Sequence, residues 1–478
     1  PRSSSAASDV YKRQAKARSF VKQQGAGKQV RQGQGGLTLQ FRDKNGRQLT
    51  ATAYFLGRSL SNPIPGRIIE LDRTAGGLRM LFSHTIAPGK NGLRWSAGAD
   101  FEAQRDKRVE FENEGLPAGQ VAVATNDKIF RQLQYGIPLL DQDEDVTSIG
   151  PFGEIEFSPN SKWAFTTGVR LDNFRFRVSD KFLADSIDQS DTRSMHQFSP
   201  MFGIVYRPGN LTKIYANIAS AFQTPTTSEL SNRSNGQGGF NPDLQPEKIL
   251  SYEIGLKSTI FKNRLNIDAA LYLLKINDRL IPFQTTAPGN EEIFFRNAGK
   301  TQNKGVELKL DWQPFPGFRA TAAYSFMNFT FRDYEVEIEV GDALQNVQLA
   351  GNKVPGVPSY QIFNGFRYAH TAGMYVEINF QWTDKFFAND FNGPLPGIDK
   401  PLSDFINDGY FLSDVRFGIE QTIGKVGFDL FGGINNLFNK RHNRSIVPNA
   451  FGDRFFEPAA NRRWFGGIRL SFPENRTN

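Results

Sequence analysis

The residue types that most often carry out catalysis or hold metal ions are scarce in this chain. It has no cysteine, so disulfides and thiolate metal sites are excluded. The four histidines are scattered singly, and none stands at ligand spacing from another: His84, His196, His370 and His442. The scarcity favours a function without bond chemistry, although a Ser-His constellation is defined by geometry and stays open as an alternative.

One acidic cluster has the composition of a calcium ligand set. It comprises Asp141, Asp143, Glu144 and Asp145, and Ca²⁺ prefers such hard oxygen ligands. The turn glycine and the distal bidentate glutamate of an EF-hand loop are missing. The pattern therefore favours a solvated loop just before a strand, and no metal site is expected.

The elements that must position any functional residue are β-strands with one apolar and one polar face. In residues 304–312, Val306, Leu308 and Leu310 alternate with charged side chains, and residues 374–382 repeat the design. Side chains two apart share a face of a strand. Helical spacing is hard to find anywhere in the chain.

The connections between these segments alternate strictly between short and long. The short ones are rich in turn formers, as hairpin turns require, and they lie at residues 43–46, 88–91, 159–161, 208–210, 262–263, 314–317 and 424–425. The long ones are polar and cover residues 105–144, 179–193, 223–247, 278–302, 332–356, 385–408 and 439–461. A sandwich has no reason to separate the two kinds, whereas a membrane barrel has short periplasmic turns and long outer loops.

The fold class that these patterns predict is all-β, a large antiparallel transmembrane β-barrel. No stretch approaches the roughly 20 apolar residues that a spanning helix needs, and only a closed barrel can otherwise span lipid. Aromatic residues make up 13% of the chain although its mean hydropathy is −0.45, as expected of an apolar outside and a wet inside. About 17 strands are expected, at residues 36–42, 47–58, 66–85, 92–105, 145–158, 161–178, 196–207, 211–222, 248–258, 263–277, 303–313, 317–331, 357–369, 373–385, 409–422, 426–437 and 462–472.

Tryptophans near the strand ends fit the aromatic girdles of such a barrel, with rings pointing outward at two heights. They are Trp163, Trp312, Trp382 and Trp464. The net charge of +8 is spread along the chain rather than gathered in one stripe, so nucleic acid is not an expected partner.

Several ordered motifs resemble the TonB-dependent outer-membrane receptors. The stretch IYANIASAFQTPTTSEL at residues 214–230 is similar to a strand of that family and supplies Phe222, Pro225 and Glu229. NPDLQPE follows at residues 241–247, RNAGKTQNKGVELKL at 296–310, and NNLFNK with RWFGGIRLSF near the end. The residues that match these motifs are Asn241, Pro242, Leu244, Pro246, Glu247, Asn297, Gly299, Gly305, Glu307, Asn436, Phe438 and Phe472.

The resemblance implies a barrel of about 22 strands, of which this chain holds about 17. Residues 36–472 are then the barrel, residues 15–35 a loop remnant and residues 473–478 a C-terminal tail. Residues 1–14 resemble the in-frame translation of a sequencing-library adapter, and the family's plug domain and energy-coupling box are expected to lie upstream of the sequence given.

The resemblance also implies a function, namely energy-driven uptake of a scarce solute, without catalytic residues or a cofactor. The expected partners are a TonB-type coupling protein, outer-membrane lipid and lipopolysaccharide, and a solute that is most often a ferric siderophore. Arginine can pair with an anionic chelate and aromatic rings can stack on catecholates, so the expected solute-binding residues are Arg233, Phe240, Phe283, Phe294 and Arg332.

Other functions stay open at this point. The transported solute can be a glycan or cobalamin. Haem is disfavoured because residues 223–240 lack the histidine found there in haem receptors. A passive porin and an outer-membrane hydrolase are alternatives of different classes.

Overall fold

The computed structural model describes residues 19–86, 92–118, 120, 131–231, 233, 236–283, 294–297, 299–340, 343–450 and 455–472. The adapter-like segment at residues 1–14 and the tail at residues 473–478 lie outside the described residues. Helices in the described part are short: Ser19–Gln23, Thr227–Ser231 and the 3-10 turn Leu402–Phe405. None of these helices is long and apolar enough to cross a bilayer.

The wall of the molecule is one sheet of 17 strands in which each strand pairs antiparallel with the next along the chain. The prediction of an all-β antiparallel fold with 17 strands is confirmed. Within the described residues, the first and last strands do not pair with each other. The strands are β1 Gln29–Arg42, β2 Arg47–Ile64, β3 Arg67–Ile86, β4 Gly92–Gly115, β5 Gln134–Ser158, β6 Trp163–Asp180, β7 Asp191–Gly209, β8 Thr212–Gln223, β9 Glu247–Ile260, β10 Leu265–Asn277, β11 Lys300–Trp312, β12 Phe318–Asp333, β13 Tyr360–Ala369, β14 Met374–Thr383, β15 Tyr410–Ile423, β16 Val426–Asn435 and β17 Arg463–Ser471.

The sheet has an apolar face and a polar face. The pairing registers align Phe101, Ile149 and Leu171 on the apolar face, where each is 50–55% exposed. The neighbouring Asp100 and Arg170 lie on the polar face because successive side chains point to opposite sides. A band of exposed apolar side chains on this scale fits contact with lipid hydrocarbon.

The tryptophan rings lie on the apolar face at two heights, as predicted. Trp163 and Trp312 end their strands beside short turns, while Trp382 and Trp464 lie beside long loops. Their exposed fractions run from 37% to 72%. This arrangement is typical of two interfacial girdles.

Tyrosine rings on the polar face lie over glycines of the neighbouring strand. Tyr272 covers Gly305 and Tyr215 covers Gly255, so that a Cβ atom on either glycine would collide with the ring. The motif residue Gly305 is therefore required for close packing on the polar face.

Two predicted loop segments are partly strand. β1 begins at Gln29, so residues 29–35 of the expected loop remnant pair with β2; the glycines of this stretch conceal the apolar alternation. β4 and β5 continue to Gly115 and from Gln134, well inside the expected loop at residues 105–144. Charged residues occupy both faces at residues 105–108 and 141–145, which removes the periodicity by which a strand is recognised.

The two rims of the sheet carry different connections, with one exception to the predicted alternation. Short turns share one rim, the short-turn rim, and long loops share the other, the long-loop rim. At the long-loop rim, however, β2 and β3 are joined by residues 65–66 alone. Four of the long loops contain a short antiparallel strand pair, called here a hairpin: residues 280–283 with 294–297, 335–340 with 343–348, 386–387 with 406–407, and 443–446 with 456–458.

Candidate functional site: the polar face and the loops packed over it

Several charged side chains on the polar face of β3 to β6 form a network of ion pairs. Asp100 accepts hydrogen bonds from Arg79 Nη2 at 2.8 Å and from Arg170 Nη1 at 2.6 Å. Arg170 Nε also donates to Asp172 Oδ1 at 2.8 Å. The missing side chain of Gly150 leaves room for this guanidinium and carboxylate. The network links three strands and leaves no member unpaired.

A second set of pairs lies closer to the long-loop rim. Arg73 binds Asp106 through two hydrogen bonds, of 2.8 and 2.6 Å. Glu110 accepts from Arg67 at 2.8 Å and also from Arg108. Asp106 and Glu110 are only 1% and 0% exposed, and buried carboxylates persist as ions only with such partners. This part of the wall is therefore close to electrically balanced.

A wide concavity of about 510 Å³ lies on the polar face near the short-turn rim. Its charged lining comprises Lys213, Lys257, Lys309, Asp268 and Asp311. Lys257 pairs with Asp268 at 3.0 Å. The cations outnumber the acids here, in contrast to the balanced pairs near the long-loop rim.

The loop between β8 and β9, residues 224–246, folds onto the polar face. It places Leu230, Phe240 and Leu244 against wall residues, and all three are nearly inaccessible to solvent. Phe176 and Val178 are among their partners in this first loop core. Burying side chains of this size contributes roughly 2 kcal/mol each, so the loop is held rigidly.

Arg193 of β7 holds the same loop through its backbone. Its guanidinium donates to the carbonyls of Asn241, Pro242 and Leu244, with 2.9 Å to the Pro242 oxygen. The neighbouring Asp191 accepts the Phe240 N–H at 2.9 Å. One cation therefore satisfies three backbone carbonyls of the NPDL motif.

The hairpin at residues 280–297 joins this core to a second one. Leu280 and Phe295 pack on the first loop core, whereas Ile281 belongs to the second. The motif residue Asn297 donates to the Gln245 carbonyl at 2.8 Å and so ties the two loops together. Successive side chains of a strand point to opposite sides, so Leu280 and Ile281 pack on different cores.

The second loop core gathers the loops that follow β12, β14 and β16 around a buried carboxyl group. Tyr334 Oη donates to Asp390 Oδ2 at 3.1 Å, and Asn449 Nδ2 donates to the same oxygen at 3.0 Å. Burial raises the pKa of Asp390, although these donors oppose the rise. Burial and the nearby Asp390 raise the pKa of Tyr334. The three loops are thus fastened at one point.

The predicted solute-binding residues are not gathered into one site. Phe240 is 3% exposed inside the first loop core, and Phe294 is 4% exposed. Arg233 donates to the Gly238 carbonyl at 2.9 Å within its own loop. Arg332 is exposed on the apolar-face side and donates to Gln302. The backbone of Phe283 is in a strand, but its side chain lies outside the described ones.

The family-motif residues mostly shape loops and packing. Glu229 accepts the Thr226 N–H at 2.6 Å and caps a helical turn, and Glu247 accepts the Leu280 N–H at 2.6 Å. Asn436 exchanges two hydrogen bonds of 2.8 Å with the Lys440 backbone. Phe222 makes an edge-to-face contact with Phe174, and Gly299 has φ +89°. Phe438 and Phe472 are 67% and 71% exposed. Pro225, Pro246 and Glu307 lie within these loops and strands.

The acidic cluster lies inside β5, which corrects the prediction of a loop. Asp145 pairs with Arg105 at 2.7 Å and Asp143 with Lys181 at 2.6 Å on one face, while Glu144 lies on the other. Alternation along the strand separates the carboxylates. Among the described residues, no group of three or more His, Asp or Glu side chains could hold a metal ion.

Two functional features were missed by the sequence interpretation. Arg170 and Asp172 are two residues apart in one strand and hence on one face, which was a readable signal for the charged network. The role of Arg193 had no local signal, because its partners are about 50 residues away.

Comparison with known proteins shows which family has this architecture. Residues 5–437 match the model of the TonB dependent receptor-like β-barrel. The probable TonB-dependent siderophore receptor PiuA of Acinetobacter baumannii is 22% identical over 64% of this chain and 38% of its own length. A ferric-pyoverdine BN7/BN8 receptor of Pseudomonas putida is 25% identical over 53% of this chain and 28% of its length. The chain thus spans well under half of these curated relatives.

Solved structures agree in fold. The ferric citrate transporter FecA in its unliganded form superposes with a TM-score of 0.75 at 15% identity, covering 97% of this chain and 64% of that one. The copper transporter OprC superposes with a TM-score of 0.66 at 16% identity, covering 93% and 66%. Because these two carry different cargo, the fold alone does not specify a solute. With a family model matched over most of its length, the chain belongs to the TonB-dependent receptors, and its 17 strands are barrel wall of that family.

Proposed function

We propose that the chain is the barrel of an outer-membrane receptor that takes up a ferric siderophore, driven by a TonB-type coupling protein. The observation that carries the proposal is the family match along residues 5–437, together with relatives named as siderophore and ferric-pyoverdine receptors. The polar face then lines the lumen, and the apolar face contacts membrane lipid, with lipopolysaccharide beyond it. No bond chemistry and no resident cofactor belong to this function.

The packed loops support a role in capture. Two loop cores, joined by the hairpin at residues 280–297, present a stable surface above the lumen. We place solute contacts on the parts of these loops outside the cores, including Arg233 and the strand end at Phe283. Phe240 acts indirectly, since it fixes the shape of its loop.

Growth of the source bacterium under iron limitation tests the proposal. Deletion of the intact gene should abolish use of at least one ferric chelate when catecholate, hydroxamate and carboxylate chelates are supplied separately. Complementation should restore that use, and an uncoupler should block it because uptake is energy-driven. Unchanged growth on every chelate would overturn iron as the cargo, and uptake that persists with the uncoupler would indicate a passive porin.

A further inference from the structure

A patch of exposed cations lies on the apolar-face side of the wall, toward the long-loop rim. Its members lie on the same face of the sheet as the exposed apolar side chains Leu271, Val306 and Phe326. They are Lys248 of β9, Lys275 of β10, Lys304 of β11 and Arg332 of β12, called here the basic patch.

The four cations are neighbours on adjacent strands. Lys275 stands opposite Gln302 in the pairing register, and Gln302 lies two residues from Lys304. Arg332 donates to the same Gln302. With strands about 4.8 Å apart, the basic patch spans roughly 15 Å across four strands.

Little negative charge balances the basic patch. Lys248 has Asp278 at 3.5 Å. The nearby Lys300 and Asp333 pair with each other at 2.8 Å, so they leave the charge balance unchanged. On the lumen side of β3 to β6, by contrast, Asp100, Asp106 and Glu110 each have an arginine partner.

The height of the basic patch matches the upper boundary of the lipid hydrocarbon. Lys275 follows Leu265, the first residue of β10, by ten positions. At a rise of about 3.3 Å per residue and a tilt of about 40°, this is about 25 Å. An outer-membrane barrel has an apolar band about 25 Å tall, so Lys275 stands at headgroup level. Lys304 is opposite Leu273 in the register, which places it about 5 Å lower, within reach of the same level for a long side chain.

Apolar groups lie directly below the cations. The Lys275 ammonium is 5.9 Å from the centre of the Tyr252 ring, and Leu271 and Phe326 are each 53% exposed. We propose that the basic patch binds the phosphates of lipopolysaccharide, whose acyl chains then lie on these side chains. A headgroup with two phosphates suits four cations across 15 Å better than a phospholipid with one. The inference rests on the outer-membrane location proposed above.

The test uses full-length protein purified from outer membranes and native mass spectrometry with added lipids. Lys275→Glu combined with Lys304→Glu should weaken binding of lipopolysaccharide roughly tenfold or more. Each substitution removes a positive charge that attracts the phosphates and adds a negative charge that repels them. The control combines Lys44→Glu with Lys262→Glu, which makes the same charge change in exposed short-turn positions. It should bind like the wild type.

The lipid selectivity of the wild-type protein is an independent test. This protein should retain intact lipopolysaccharide but not the dephosphorylated form, free phosphate or phosphatidylglycerol. Equal retention of any of these, or an undiminished affinity in the double variant, would overturn the proposal. Ferric-chelate uptake by the double variant should stay at wild-type level, so a failure of the transport proposal would be seen separately.

Discussion

Replacing Arg193 with methionine should loosen the loop between β8 and β9 without unfolding the wall. The guanidinium donates to three backbone carbonyls of this loop. A hydrogen bond to a charged group contributes roughly 1.5–3 kcal/mol, but three bonds to one group are not additive. We therefore expect a loss of about 3 kcal/mol in the local stability of the loop.

Amide hydrogen exchange measures this local stability directly. Because 1.4 kcal/mol corresponds to a factor of ten, exchange of residues 236–246 should accelerate roughly 100-fold. Peptides from the strands should keep their protection. Arg193→Lys should give an intermediate effect, since one ammonium cannot reproduce the fork of a guanidinium.

Arg175→Met is the matched control for this experiment. Arg175 lies on the adjacent strand β6 and is exposed on the opposite face from the loop. Its replacement should leave the loop unchanged. If exchange of residues 236–246 in the Arg193→Met protein stays within threefold of the wild type, the clamp has no energetic role and the reasoning fails.

Three further changes test other parts of the structure. Phe240→Ala should cost roughly 3–5 kcal/mol of local stability by opening a cavity, seen as faster exchange in the same loop and weaker chelate binding; unchanged affinity would show that the loop shape does not matter for capture. Gly305→Val should displace Tyr272 and lower the heat-denaturation midpoint, at a cost of about 1–3 kcal/mol of stability. Gly33→Val is the control and should leave the midpoint unchanged, because no atom lies within 4 Å of a Cβ there. Equal midpoints in the two variants would refute the packing argument. Burial raises the pKa of Asp390, so the packed loops favour the protonated carboxyl group; their packing should be strongest below the unfolded pKa near 4 and weaken as pH rises through the raised folded pKa. Asp390→Asn should remove that dependence and increase exchange protection of residues 384–409 at pH 7, and an identical pH profile in both proteins would contradict the assignment.

The strands were predictable wherever lipid contact imposes a pattern. Between the two tryptophan girdles one face must be apolar, so alternation marks the strands in residues 304–312 and 374–382. Beyond the hydrocarbon this requirement ends. β4 and β5 continue there with charged residues on both faces, held by pairs such as Arg105 with Asp145. A sequence pattern cannot distinguish such a strand from a polar loop.

The site was less predictable because residue type does not reveal orientation. Phe240 was expected to contact solute as a loop aromatic, yet it is buried in a loop core. Arg332 was expected to face the solute, yet it lies on the apolar-face side. The contacts that bury Phe240 include residues distant in sequence, so no local window contains them. The face of Arg332 follows instead from its even spacing from Phe326, but only once the strand is known to continue past residue 331.

The charge distribution on the polar face indicates whether the wall or the loops attract an anionic solute. Paired ions such as Arg73 with Asp106 largely cancel each other's field, so the wall of β3 to β6 offers little net attraction to an anionic chelate. A lumen lined with unpaired cations would instead hold such a solute and slow its passage. Under the proposed function, selectivity then resides in the outer loops, whose shape is fixed by buried cores that include the wall residues Phe176 and Val178. For this reason substitutions in the loop cores should change which chelate is bound, whereas substitutions of the paired ions should change mainly the stability of the barrel.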